Sequence, residues 1–232
     1  ILFVLLVSSL LYCNSMDPWG GISVSTSDNL DAFTYNPAGF AISQGNHTGF
    51  YISADSTGKF TKHSDVYYAY KTNGFGYSFL YKENDKLLNA TDVNISFAGD
   101  INRYISFGSN WSKYQEAITM GFLLRPNNLL SFGTTVNYDE QLKSPNNFRV
   151  GIAFRPFSDE KLTFGVDYVI DYTDSLERKK LPFVELCIGN GITFKSQFFI
   201  DESNVTTAVQ SSININFGKS GAFLNTESNK YN

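Results

Sequence analysis

From about residue 46 the chain alternates apolar and polar residues with period two, the pattern of strands whose two faces meet different media. Phe75, Tyr77, Phe79 and Tyr81 share one face, with Gly76, Ser78 and Leu80 opposite. Leu130, Phe132, Thr134, Val136 and Tyr138 alternate with Ser131, Gly133, Thr135 and Asn137, and Phe148, Val150, Ile152 and Phe154 with Arg149, Gly151, Ala153 and Arg155. The same pattern runs through Leu162–Tyr172 and ends with Val209, Ile213, Ile215 and Phe217. It predicts about twelve strands over residues 46–218. Residues 16–45 do not alternate, and there Ser27-Asp28-Asn29 is placed to cap a short helix through Phe33. Residues 219–232 read as a polar tail or the start of further sequence.

A soluble sandwich also alternates, so period alone does not choose the medium. The placement of charge does. Arg149, Arg155, Asp167, Asp171, Glu185 and Lys195 all fall on the face opposite the apolar one. A Lys or Arg facing lipid at mid-bilayer costs roughly 2–4 kcal/mol, enough to impose such a bias. The connections point the same way. Links at 55–64, 82–92, 138–147 and 172–181 look long and polar, whereas those at 72–74, 99–102, 126–128, 156–160 and 189–191 look short. Long loops on one rim and short turns on the other predict an antiparallel up-and-down transmembrane β-barrel, all-β, whose partner is outer-membrane lipid. Its start would then lie on the periplasmic side, with the short turns.

Composition sharpens this picture. Charged residues make up 17% of the chain, against about 25% in soluble domains. Aromatic residues reach 16%, and a net charge of -4 argues against nucleic acid as a partner. Residues 1–11 are almost wholly apolar but too short for a membrane helix, and small residues follow. That is the core of a signal peptide cut short at its start, with cleavage expected after Ser15. Cys13 could instead mark a lipoprotein, although Tyr12 fits that processing site poorly. Sequons begin at Asn46, Asn89, Asn94, Asn110 and Asn204; two lie within predicted strands, where a glycan has no room, so they read as chance.

Catalytic and metal chemistry find little here. His47 and His63 lie apart in predicted connections, and only Cys187 survives cleavage. No nucleophile elbow or metal-ligand spacing occurs, so an enzyme, a metal and a cofactor are not expected. The buried charges are read instead as a lumen network of Arg149, Arg155, Asp167, Asp171, Glu185 and Lys195. A local repeat joins two of the hairpins. Gly121 to Arg125-Pro126, followed by Ser131-Phe132-Gly133, recurs as Gly151 to Arg155-Pro156 followed by Thr163-Phe164-Gly165. Proline ends each ladder because it has no N–H to give. The arginine beside it can reach a carboxylate or phosphate at the rim.

Tyr35-Asn36-Pro37-Ala38-Gly39-Phe40-Ala41 carries a turn signal, Asn before Pro with Gly following. In an exported barrel the Asn36, Pro37, Ala38 and Gly39 segment resembles the Asn-Pro-Ala-Gly motif of FadL-like fatty-acid transporters and the related PorV-like barrels. The resemblance implies that residues 16–45 form a hatch plugging the barrel, that the full protein has up to fourteen strands, and that hydrophobic small molecules pass passively in a bacterial outer membrane. The Met16-Asp-Pro-Trp-Gly-Gly start and the Arg155-Pro156 hairpin are also similar to the barrel-like region of SppA-type proteins. That resemblance implies the alternative role, a membrane anchor or assembly platform for a periplasmic domain or a secretion partner.

Overall fold

The computed structural model describes residues 19–42, 45–52, 65–81, 90–113, 116–141, 143–172, 176–189, 191–216 and 221–229. The expectations for residues 1–15, including cleavage and Cys13, lie outside them.

The described residues form one antiparallel sheet of thirteen strands in strict sequence order. The strands are β1 (His47–Ile52), β2 (Val66–Thr72), β3 (Phe75–Tyr81), β4 (Ala90–Asn102), β5 (Ile105–Ser112), β6 (Ala117–Leu124) and β7 (Leu130–Asp139). Then follow β8 (Ser144–Phe154), β9 (Leu162–Asp171), β10 (Glu177–Ile188), β11 (Ile192–Ile200), β12 (Thr206–Asn216) and β13 (Gly221–Asn229). The up-and-down all-β architecture is the one the alternation predicts. Among the described residues no pairing joins β1 to β13.

Three features differ from the sequence reading. The region after 218 is not simply a tail, because Gly221–Asn229 pairs with β12 along its length as a thirteenth strand. The links 138–147 and 172–181 shrink to 140–143 and 172–176, because β8 and β10 begin earlier than their apolar patterns do. Polar residues such as Ser144 and Glu177 continue the ladder opposite Asp139 and Asp171, since backbone pairing does not require an apolar side chain. The alternation of long and short links therefore holds in the first half of the sheet and fades in the second. Third, the expected helix is a 3-10 turn over Leu30–Phe33, without a side-chain cap from Asn29. Ser27 Oγ donates to the Ser23 carbonyl instead, and Asp28 binds Arg125.

The sheet is inside-out. Along β5, Ser106, Gly108, Asn110 and Ser112 are buried, while Phe107 and Trp111 are exposed. Large apolar side chains recur on the outer face, among them Phe50 at 62% and Met120 at 61% exposure. On β2 and β3 the aromatic rings Tyr68, Tyr70, Phe75, Tyr77 and Phe79 form a continuous ladder. In water this surface would be costly to expose; in hydrocarbon it is the favourable arrangement.

The inner face encloses residues 19–42. Trp19, Ala32, Phe33 and Phe40 of this segment cluster with Ala69 of β2, the rings of Phe33 and Phe40 meeting edge-on at 4.6 Å. Ile22 packs on Ala153 and Phe183 across the interior. The N-terminal segment is a small apolar core threaded through a mostly polar sleeve.

Candidate functional site

The interior is built by fitting this plug against a wall that offers glycines at several points of close approach. Asn36 is fully buried, and its Nδ2 donates to the Val24 carbonyl at 2.8 Å and to the Phe122 carbonyl of β6 at 3.0 Å. Its Oδ1 accepts the Ala38 N–H at 3.1 Å, and its own carbonyl accepts the Gly39 N–H at 2.9 Å. One side chain thus forms the turn, ties it to the preceding plug segment and fixes it to the wall. Pro37 lies over Gly108 of β5, where a Cβ would come within 2.4 Å of the Pro37 carbonyl oxygen. Gly121 of β6, opposite Gly108 in register, underlies Asn36. Gly39 lies against the Ser27 carbonyl, which a Cβ would meet at 2.1 Å, followed by the short helix Gly39–Ile42. The motif read from the sequence is therefore a packing device whose counterpart is a glycine trough in the wall.

Two ionic clasps complete the seat. In one, Arg125 at the end of β6 holds Asp28 of the plug with both terminal nitrogens, Nη1 to Oδ2 at 2.9 Å, while its Nε donates to Ser131 Oγ at 3.2 Å. Ser131 Oγ in turn donates to the Ser25 carbonyl at 2.6 Å. Burial works against the charged form of Arg125, yet the Asp28 carboxylate outweighs it and holds the guanidinium above its ordinary value. In the second clasp Asp167 of β9, fully buried, accepts three donors. They are Ser23 Oγ at 2.7 Å, the Val24 N–H at 2.9 Å and Arg149 Nε of β8 at 2.7 Å. Arg149 also donates to the Ile22 carbonyl at 3.2 Å and stacks on Tyr35, 4.6 Å from the ring centroid.

Further contacts carry the plug round the wall. Gln197 of β11 donates to the Ile22 carbonyl, Thr26 Oγ1 donates to Glu185 of β10 at 2.9 Å, and Lys71 of β2 donates to the Asp28 carbonyl at 3.3 Å. Asp31 is buried in the plug, which raises its carboxyl above the ordinary range against the pull of Lys195.

The expected lumen charges therefore separate into groups. Arg149 and Asp167 form a direct ion pair, and Glu185 and Lys195 face each other in register between β10 and β11. Asp171 lies four residues beyond Asp167 on β9, about 13 Å further along the strand, opposite Asn147 and Glu177. Arg155 is at the other end, on the rim of turns. The sequence reading did not include Asp28, Lys71 or Gln197 among the interior contacts. The arginine beside Pro126 can reach a carboxylate, but nothing local in the sequence identifies Asp28, 97 residues away, as its partner.

Beneath the plug a cavity of about 910 Å³ opens at this rim, with Ala41 and Ile42 on one side. The turns after β4, β6 and β8 supply Arg103, Tyr104, Arg125, Asn127, Asn128, Arg155, Ser158, Asp159 and Glu160, and Asp100 of β4 completes the lining.

No protein-family model and no curated protein matches the chain. Two solved structures are similar to it, both multiply substituted variants of the Rh. blastica porin. One aligns with a TM-score of 0.45 at 10% identity, covering 78% of this chain and 80% of the porin. The other gives 0.43 at 9% identity, covering 80% and 85% respectively.

Proposed function

We propose that this chain is an outer-membrane β-barrel through which small molecules pass passively, with residues 19–42 as its gate. The observation that carries the reading is the inside-out sheet, apolar outward and polar inward, wrapped around a plug. The plug is held by side-chain contacts, the Asp28–Arg125 and Asp167–Arg149 clasps among them, rather than woven into the sheet. Such a segment can shift while the backbone ladder of the wall stays intact. The finer reading, supported by the FadL-like resemblance of Asn36 to Gly39, is that the cargo is a hydrophobic small molecule.

Uptake of a fluorescent hydrophobic dye by cells with an intact lipopolysaccharide leaflet tests this, with a polar sugar analogue as the second probe. Expression of the protein is expected to speed dye entry and leave entry of the sugar analogue unchanged. Faster entry of the sugar analogue alone would keep passive passage and remove the hydrophobic cargo. Equal entry of both probes with and without the protein would remove the transport reading.

A further inference from the structure

The two copies of the hairpin repeat end differently. In the first, Arg125 is placed opposite Ser131, one step beyond the Leu124–Phe132 pair, and its guanidinium is fully engaged by Ser131 and Asp28. In the second, Arg155 is placed in the same way opposite Thr163, one step beyond Phe154–Phe164. Here the engagement is missing. Arg155 is only 8% exposed, yet its Nε has no hydrogen-bond partner among the described residues. Thr163 Oγ1, fully buried, has none either. A guanidinium N–H buried without an acceptor is costly. Arg155 also lines the 910 Å³ cavity that opens at the rim of turns.

We propose that this cavity is an oxyanion-binding site centred on Arg155, taking the carboxylate or phosphate of a small solute. The occupant makes to Arg155 the contact that Asp28 makes to Arg125. A planar guanidinium suits this task, since two parallel N–H groups match two oxygens of a carboxylate or phosphate. Asn127, Asn128 and Ser158 bring further hydrogen-bonding groups to the lining, and Arg103 adds positive charge. The acidic residues of the lining compete unequally. Asp159 is paired with Lys161 at 3.0 Å, whereas Asp100, which accepts only from the neutral Ser106 hydroxyl at 2.6 Å, and exposed Glu160 keep the negative charge that opposes an anion. The site does not depend on whether the barrel conducts.

Calorimetric titration of the folded protein in detergent with inorganic phosphate, and separately with succinate, tests the proposal. Saturable binding of at least one is expected. Arg155→Gln should weaken it by roughly tenfold or more, the loss of one charge-assisted contact. Glu160→Gln, at an exposed position, should tighten it. Because Arg155→Gln can disturb folding, the wild-type protein supplies a second reading. Phenylglyoxal labelling, mapped by mass spectrometry, should be slowed at Arg155 by the bound anion. No saturable binding of either anion, or unchanged affinity in a folded Arg155→Gln protein, would overturn the proposal. So would binding that leaves labelling of Arg155 unaffected.

Discussion

Replacing Asp167 with alanine is expected to release the plug and to lower the stability of the protein by about 3–5 kcal/mol, the range for breaking a buried pair from one side. The carboxylate is fully buried and satisfies Ser23, the Val24 N–H and Arg149 together. Alanine leaves a backbone donor and a guanidinium without their acceptor in a space shielded from water. The strand ladder from β8 to β10 keeps its backbone bonds, so the loss should fall on the plug first. Limited proteolysis should cut within residues 19–42 of Asp167→Ala under conditions that spare the wild type. Adding Arg149→Met should recover part of the lost stability by removing the unpaired charge. A variant as resistant as the wild type would mean that the clasp does not hold the plug.

A comparable effect is expected from Gly133→Val, for a steric reason. A Cβ on Gly133 of β7 would stand 2.0 Å from the Val24 carbonyl oxygen and 2.8 Å from the Ser25 Cα. These are backbone atoms of the plug and cannot turn aside as a flexible side chain would. Overpacking of this kind costs roughly 1–3 kcal/mol where neighbours can relax, and here relaxation means lifting the plug off the wall. The variant should therefore admit polar solutes that the wild type excludes, read as swelling of proteoliposomes in sugar solutions. Gly99→Val in β4 is the matched control. The nearest atom to its Cβ is 3.9 Å away, in the Phe107 ring, so it should behave as the wild type. Equal swelling rates for Gly133→Val and Gly99→Val would refute the close seat of the plug.

The wall of this protein was legible in its sequence because a sheet whose two faces meet different surroundings imposes a simple rule on alternate residues. Phe132, Ile152 and Phe164 face outward and Ser131, Ala153 and Thr163 inward, as the period requires. The rule fails where the medium stops enforcing it. Asn225-Thr226-Glu227-Ser228-Asn229 has no apolar alternation to read, yet it forms most of β13 because β12 offers a backbone ladder. The early starts of β8 and β10 have the same cause.

The seat of the plug was less legible, because much of it is made to backbone carbonyls. Gln197 reaches the Ile22 carbonyl, Ser131 the Ser25 carbonyl and Lys71 the Asp28 carbonyl, and a carbonyl leaves no mark on the sequence. The Asn36-Pro37 turn was readable because its chemistry is local. Its docking on Phe122, 86 residues on, was not. The hairpin repeat was visible as a pattern, but only the structure shows that Arg125 is engaged by a carboxylate and that Arg155 has no such partner among the described residues.

The central claim is that the apolar outer face of this sheet lies in a membrane and its polar face encloses the plug. Heat-modifiability of the protein expressed with an export signal and recovered from the outer-membrane fraction tests it most directly. A barrel whose backbone groups are paired within the wall resists detergent at room temperature and unfolds only on boiling. The account predicts a band that migrates as a compact species unboiled and shifts to the mass of the extended chain after boiling. A protein found soluble in the periplasm, with the same mobility before and after boiling, would contradict it.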